Sequence, residues 1–408
     1  MKIFNKGKWK KVKLGDVCDK VISGEWGTEV DENSQNTAFI IRTTNFSNNG
    51  KIDIENKELV KRKIDEIKIK EKSLKKGDII IEKSGGSSNQ PVGRVVYFNL
   101  DTNDIFLCNN FTSILRINEK INSKYIFYFL RNSYKNNKVI KYQNKTTGII
   151  NLKLKDYLKE NYLFLPKLEI QNKIVNILDN LEILLEKNQK YLIYLKELNK
   201  SLFRFQFFSS GKNFQKKKLK DNIIEMFIGP FGSDLKNEIF VDKEKGYCMV
   251  YEQRHAIKRL IDNDVRYITK EKYESLKRFK VEGGDIIVSC RGTIGKIYAL
   301  PNDAEFGIIH SSLMKIKLKK DKYNNTFFEK LLEKYMQENI YSTQGSSIKM
   351  AITAKKLSEE YFIIPPIELQ NKFAERVEKI EKLKFEIEKA IEETQKLYDN
   401  LISKYFDN

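Results

Sequence analysis

Three stretches in the first half of the chain combine cations, amides and hydroxyls with glycine. They are Arg42-Thr43-Thr44-Asn45, Lys83-Ser84-Gly85-Gly86-Ser87-Ser88-Asn89-Gln90 and Gln143-Asn144-Lys145-Thr146-Thr147-Gly148. An arginine can take a guanine edge with two hydrogen bonds, and asparagine or glutamine an adenine edge, while glycine and serine let backbone amides approach phosphate. Such residues suit contact with nucleic acid rather than the making or breaking of bonds. Each stretch has a counterpart in the second half: Glu252-Gln253-Arg254-His255, Ser289-Cys290-Arg291-Gly292-Thr293 and Gln344-Gly345-Ser346-Ser347-Ile348-Lys349. Any one of these loops reads equally well as a solvated turn; the pairing of all three across the halves favours contact. The expected contact residues are Arg42, Thr43, Thr44, Asn45, Lys83, Ser84, Asn89, Lys145, Thr146 and Thr147, then Gln253, Arg254, His255, Ser289, Arg291, Thr293, Gln344, Ser346, Ser347 and Lys349. Arg94, from Val92-Gly93-Arg94-Val95, joins them.

A fourth pair of turns holds an aromatic residue between glycines, Gly24-Glu25-Trp26-Gly27-Thr28 and Gly229-Pro230-Phe231-Gly232-Ser233. The aromatic is expected to plug a small core rather than stack on a base. The neighbouring hydroxyls of Thr28 and Ser233 are placed to reach a phosphate, and Ser233 completes the contact set. Catalytic patterns are missing. Arg291-Gly292-Thr293-Ile294-Gly295-Lys296 hints at a phosphate loop but has Cys at 290 and Ile at 297, where that motif needs Gly and Ser or Thr. No dinucleotide or methyl-donor glycine turn follows a strand, no carboxylate spacing suited to a metal recurs in both halves, and two histidines are too few for a His-rich metal site. No catalytic residue and no bound cofactor or metal are expected.

The elements that position these loops are repeated too. Pro166-Lys167-Leu168-Glu169-Ile170-Gln171-Asn172-Lys173 returns as Pro365-Pro366-Ile367-Glu368-Leu369-Gln370-Asn371-Lys372. Leu14 and Asp16 match Leu219 and Asp221, and Gly77-Asp78-Ile79-Ile80 matches Gly284-Asp285-Ile286-Ile287. The order of landmarks is kept while their offset drifts, as in duplicated domains with loop insertions. The formal charge is +20 over 408 residues, which suits a polyanionic partner, although a Lys-, Asn- and Ile-rich composition also follows from an AT-rich genome, so the placement of the charge decides more than its size. Residues 167–208 carry seven Lys and Arg against five Asp and Glu, and residues 366–408 carry eight against ten, so the excess lies in 1–166 and 209–365.

The two neutral segments hold a clear period. Ile174, Ile177, Leu181, Leu184, Asn188, Tyr191, Leu195, Leu198 and Leu202 are spaced by alternating threes and fours, as are Phe373, Arg376, Ile380, Leu383, Ile387, Ala390, Thr394, Leu397 and Leu401. Each reads as a coiled-coil helix begun just after a proline, with Ile174, Ile177, Leu181, Leu184, Leu195 and Leu198 facing Phe373, Ile380, Leu383, Ile387, Leu397 and Leu401; the alternative is two unrelated amphipathic helices, each packing on its own domain. Asn188, Arg376 and Thr394 would be polar residues in the seam that fix its register. From Ile174 to Leu202 the helix runs ~42 Å at ~1.5 Å per residue. Spacing does not decide between a parallel and an antiparallel pair. The basic regions show short strand-like runs at 78–81, 92–98 and 113–117, then 285–288, 294–299 and 313–318, with helices expected at 123–132 and 326–338. The expected class is α+β, with mixed domains at 1–166 and 209–365 and spacer helices at 167–208 and 366–408. Four scattered cysteines suit a reducing cytoplasm, and neither a leader peptide nor a membrane span is expected.

Two basic domains, each followed by a Pro-x-x-Glu-x-Gln helix start and a heptad helix, resemble the specificity (S) subunits of Type I restriction-modification systems. Ile41-Arg42-Thr43-Thr44-Asn45-Phe46, Gly229-Pro230-Phe231-Gly232-Ser233, and Gly284-Asp285-Ile286-Ile287-Val288-Ser289 with Gly292-Thr293-Ile294-Gly295 carry the likeness along the chain. The resemblance implies that each basic domain is a target recognition domain reading half of a bipartite site in double-stranded DNA. It implies antiparallel helices that set the spacing and dock two modification (methyltransferase) subunits, joined by motor and nuclease restriction subunits. S-adenosylmethionine, ATP and magnesium would belong to those partners, which carry adenine-N6 methylation and ATP-dependent cleavage. The unlike loops of the halves point to an asymmetric target. A nucleic-acid enzyme and a purely structural coiled coil are the competing readings.

Overall fold

The computed structural model describes residues 7, 9–32, 34–87, 90–146, 149–209, 211, 213–259, 261, 265–339 and 353–407. The chain forms two compact units, one made of residues 1–189 and 389–408, the other of residues 190–388. These units do not coincide with the four sequence segments, because each division falls inside a long helix, Leu168–Arg204 or Ile367–Phe406. No helix of the described residues is long and apolar enough to cross a membrane.

Each unit is built on a four-stranded antiparallel sheet. In the first the order is Cys18–Ser23, Thr112–Ile117, Ile79–Glu82, Val95–Tyr97; in the second it is Ile223–Ile228, Leu313–Leu318, Ile286–Ser289, Ile297–Ala299. The inner strands Ile79–Glu82 and Ile286–Ser289 are buried at every residue. Alternate side chains of a strand point to opposite faces, and here both faces are covered. Ile79 and Ile81 join one core with the helix Ser123–Lys135, while Ile80 joins a second core with Ile41 and Phe106. Ile286 and Val288 likewise pack with the helix Asn325–Asn339, and Ile287 with Val250 and Ile309. A smaller sheet completes each unit: Val60–Lys63, Thr37–Ile41, Phe106–Cys108 in the first and Tyr267–Ile268, Cys248–Tyr251, Gly307–Ile309, Lys280–Val281 in the second. Its central pairs, Thr37–Ile41 with Phe106–Cys108 and Cys248–Tyr251 with Gly307–Ile309, are parallel. Neither smaller sheet is among the strand-like runs expected from the sequence.

The recurrent Gly-Asp step is a scaffold feature. Asp78 is buried, accepts from the Lys75 amide at 2.8 Å and pairs with Arg116 through both carboxylate oxygens at 2.9 and 2.6 Å. Asp285 accepts from the Glu282 amide at 2.9 Å and meets the buried Lys315 ammonium at 3.1 Å. Burial pushes the Asp285 carboxyl above its usual range, against the pull of Lys315.

The repeated Pro-x-x-Glu-x-Gln-Asn string also has a structural job. Gln171 is buried; its Oε1 accepts from the Asn122 amide at 2.9 Å and its Nε2 donates to the Pro166 carbonyl at 2.8 Å. Asn122 in turn caps the helix Ser123–Lys135, accepting from Lys124 and Tyr125, and donates to Asn172 at 2.8 Å. In the second unit Gln370 accepts from the Asn324 amide at 2.9 Å and donates to Pro365 and Lys322 carbonyls at 2.7 and 2.9 Å. Asn324 accepts from Thr326 and Phe327 amides and donates to Asn371 at 2.9 Å. The start of each long helix is therefore tied to the cap of its unit's domain helix.

Both long helices use a buried stripe displaced from the expected one. On the first, Ile174, Leu178 and Leu185 are buried and Leu181 and Leu195 half-buried, whereas Ile177, Leu184 and Leu198 are exposed. On the second, Phe373, Val377, Ile380, Thr394 and Tyr398 are buried and Ile387 and Leu401 half-buried, whereas Leu383, Leu397 and Arg376 are exposed. Steps of four-three and three-four share every seventh residue, so the period fixed half of the stripe and the intervening positions moved by one. Within the second unit Asn199 meets Glu381 at 3.1 Å, the Phe203 and Phe373 rings lie 5.5 Å apart, and Gln206 donates to the Leu369 carbonyl at 3.3 Å, an antiparallel pairing. In the first unit the Tyr398 hydroxyl donates to Glu182 at 2.8 Å, Arg131 pairs with Glu182, and Phe406 packs on Tyr125 at 5.0 Å.

Replacing the buried Gln370 by alanine leaves the half-buried Asn324 amide without its acceptor, and the denaturation midpoint should fall by the equivalent of about 1–3 kcal/mol. The exposed neighbour Glu368→Ala should shift stability by less than about 0.5 kcal/mol. Equal effects from the two substitutions would contradict the role given to the clamp.

Candidate nucleic-acid interface

In each unit one tight turn gathers the loops. The first unit's turn is Asn109–Thr112, closed by the Thr112 amide on the Asn109 carbonyl at 3.0 Å. Around it, Gly24 donates to the Thr112 carbonyl at 3.2 Å, Asn109 donates to the Ile41 carbonyl at 3.0 Å, and Lys83 and Ser84 donate to the Phe111 carbonyl at 2.9 and 3.1 Å. These bonds bring together the loops beginning at Gly24, Arg42 and Lys83. The third loop joins them through a sheet, since Gln143–Thr146 pairs with Ile149–Leu152, which pairs with Ser84–Gly85.

The second unit repeats the arrangement around His310–Leu313. Gly229 donates to the Leu313 carbonyl at 3.0 Å, His310 to the Tyr251 carbonyl at 2.8 Å, and Cys290 to the Ser312 carbonyl at 2.9 Å. The loops beginning at Gly229, Glu252 and Ser289 thus meet. Glycine is required where the first loop crosses the turn: a Cβ on Gly24 would lie 1.9 Å from the Asn109 carbonyl oxygen, and one on Gly229 would lie 2.4 Å from that of His310.

Several expected contact residues hold the loops instead of facing outward. Asn45 is fully buried; its Oδ1 accepts from the Arg42 amide at 3.0 Å and its Nδ2 donates to the Asp53 and Glu58 carbonyls. Arg94 makes two bonds to the buried Glu82, at 3.0 and 3.1 Å, and donates to the Thr43 carbonyl. Ser289 is buried, donating to Thr293 and accepting from the Lys296 amide. His255 is buried and accepts from the Glu252 amide at 2.9 Å. Gln253 spans the loop gap, its Nε2 reaching the Arg291 and Thr293 carbonyls at 2.5 and 3.0 Å. Arg254 lies 3.3 Å from Glu252, which also pairs with Arg266. Burial pushes the Glu252 carboxyl up, yet these guanidiniums hold it below the usual range. Ser84 bonds Asn151 at 2.6 Å, and Arg42 donates to the Glu58 carbonyl at 3.0 Å. Amide and hydroxyl composition could not separate these roles, because a loop needs the same groups to satisfy its own backbone.

Other candidates stay available. Thr44, Ser233, Arg291 and Thr293 are exposed and Thr43 is half-buried. Lys83 reaches Ser23 at 3.3 Å and has no carboxylate partner among the described residues; burial holds its ammonium below the usual lysine range. Lys145 and Thr146 lie in the strand Gln143–Thr146. Asn89, Thr147, Gln344, Ser346, Ser347 and Lys349 lie outside the described residues.

The organising turns themselves were missed. Phe111 is exposed on the first, and His310 is half-buried on the second, with Nδ1 taking the Ser312 amide at 3.3 Å and burial holding the imidazole below its usual range. Asn109-Asn110-Phe111-Thr112 and His310-Ser311-Ser312 have the polar composition used to pick the other loops, which was the signal available. The two aromatic turns differ. Trp26 is half-buried against the core around Ile64, with the Arg62 guanidinium 4.5 Å over its ring, as a plug should be. Phe231 is exposed, contrary to the same expectation.

Comparison with known proteins agrees with this duplicated design. The model of the Type I restriction modification DNA specificity domain matches twice, at residues 6–197 and 205–396. No curated protein matches the chain. Among solved structures, the S subunit of a Type I restriction-modification system from M. genitalium aligns over 100% of this chain and 98% of its own, with TM-score 0.58 and 16% identity. A chain from a type I R-M system, studied for complex assembly and conformational transition, aligns over 98% and 97%, with TM-score 0.55 and 16% identity. At that identity the likeness speaks for the fold, and the doubled domain match speaks for the lineage: the chain belongs to the Type I restriction modification DNA specificity family and is a DNA sequence-recognition subunit.

Proposed function

We propose that each unit reads one half of a bipartite, asymmetric site in double-stranded DNA, and that the long helices set the distance between the readings. The observation that carries this is the repeated cluster: three loops held by one turn, with Thr44 and Lys83 available in the first unit and Ser233, Arg291 and Thr293 in the second. What is shared between the units supports the frame, as with Asp78 and Asp285 or Gln171 and Gln370. What differs includes the outward-facing residues Thr44, Ser233, Arg291 and Thr293, and unlike loops read unlike sequences. Target recognition by residues 1–166 and 209–365, with spacer helices at 167–208 and 366–408, follows from this division of labour.

The helices also serve assembly. Exposed apolar residues flank the buried stripe: Ile177, Ile183 and Leu184 in the first unit, and Tyr191, Ile193, Tyr194, Leu198 and Leu383 in the second. Such a surface suits the docking of two modification subunits, with motor and nuclease subunits joining in the cytoplasm. Adenine methylation, DNA cleavage and their S-adenosylmethionine, ATP and magnesium belong on this reading to the partners, and the chain itself supplies recognition without catalysis.

Within a complex reconstituted with its methyltransferase, Arg291→Ala should relax discrimination at one base pair of one half-site by about 1–3 kcal/mol. An unchanged methylation pattern would count against Arg291 as a reader. A second comparison separates assembly from folding. Leu184→Asp should leave the chain folded but weaken capture of the methyltransferase, whereas Leu185→Asp, at a buried position, should lower thermal stability. Full assembly by the Leu184 variant would remove the docking role from that face.

A further inference from the structure

Phe231 is the most exposed large apolar side chain among the described residues, at 74%. Isolated exposed hydrophobics are common on proteins, so the exposure matters here because of how the residue is mounted. Gly229 presses against the His310 carbonyl with no room for a Cβ, Pro230 fixes the next φ, and the Phe231 carbonyl accepts from the Asp234 amide at 2.9 Å. The backbone beneath the ring is held at both ends. The ring stands beside exposed Ser233, on the loop bonded to the same turn that anchors the loops of Gln253 and Arg291. In the first unit the matching Trp26 is spent on Arg62 and the core around Ile64, and Thr28 is bridged to Lys63.

We infer that Phe231 is an apolar wedge that enters the base stack of the half-site read by the second unit, partly unstacking one step. The inference rests on the DNA-reading function proposed above. A ring on a rigid turn loses little conformational freedom on insertion, and the surface it hides from water offsets part of the unstacking cost of a few kcal/mol. Flexible pyrimidine–purine steps unstack most readily, so the wedge favours such a step without any hydrogen bond to its bases. Because Trp26 is occupied, the distortion is confined to one half-site, which adds a source of asymmetry to the target beyond the polar loop residues.

The test uses the full complex with its methyltransferase and cognate duplexes carrying 2-aminopurine at successive positions, leaving out the adenines that become methylated. Fluorescence should rise on binding at one step of one half-site. Phe231→Ala should abolish that rise and weaken binding about tenfold, Phe231→Trp should keep it, and Trp26→Ala should leave the pattern in place. Specific binding with no fluorescent step, or a step that survives Phe231→Ala, overturns the wedge while leaving sequence reading intact. Loss of subunit assembly in Phe231→Ala also overturns it, marking the ring as a protein contact. Binding that ignores DNA sequence in the unaltered complex would instead remove the function on which the wedge rests.

Discussion

Two buried glutamine amides hold the design together. Gln171 and Gln370 each accept the backbone amide of an asparagine that caps a domain helix and return a hydrogen bond to the proline carbonyl just before a long helix begins. An amide can satisfy an acceptor and two donor needs at once, and leaving any of them unmet in a buried site is costly. The direction in which each long helix leaves its unit is therefore set by short, directional bonds rather than by apolar packing alone. Loops that read DNA from a scaffold whose spacer began at a variable angle would have no fixed register.

Inside each unit the same economy of parts recurs. The inner strand with its Gly-Asp start serves two cores at once, and the turn at its far side draws three loops to one edge. The buried carboxylates of Asp78 and Asp285 meet their cations at the base of the sheet, away from the loops. The frame is duplicated closely enough that four backbone hydrogen bonds of the first gathering turn, including those from Gly24, Asn109 and Lys83, have counterparts in the second from Gly229, His310 and Cys290. Divergence reaches into the frame, where buried Asn45 is matched by His255 and Glu82 by Ser289, as well as into the side chains left facing outward.

Much of this was legible in the sequence, for identifiable reasons. Helices with a period near 3.5 announce themselves, and the runs at 78–81 and 285–288 are apolar enough to mark inner strands, which the structure places at Ile79–Glu82 and Ile286–Ser289. The phase of the helical stripe was not legible, because Ile177 and Leu178, or Leu184 and Leu185, are equally apolar and only packing chooses between them. The loops mislead for a similar reason. Asn45, Arg94, Ser289 and His255 have the chemistry of base readers, but a loop gathered this tightly consumes its own polar groups, and the residues left facing outward are fewer than composition suggests. Phe231 errs in the other direction, since nothing in Gly-Pro-Phe-Gly distinguishes a plug from a projecting ring.

On the proposed reading, the distance between half-sites is the decisive variable. The most direct measurement is methylation by the reconstituted complex across a series of duplexes in which the two half-sites are separated by one additional base pair at a time. Each added pair rotates one half-site by about a tenth of a turn, so modification should be confined to one separation and fall steeply on either side. Equal methylation across the series, or methylation of a single half-site, would contradict the account.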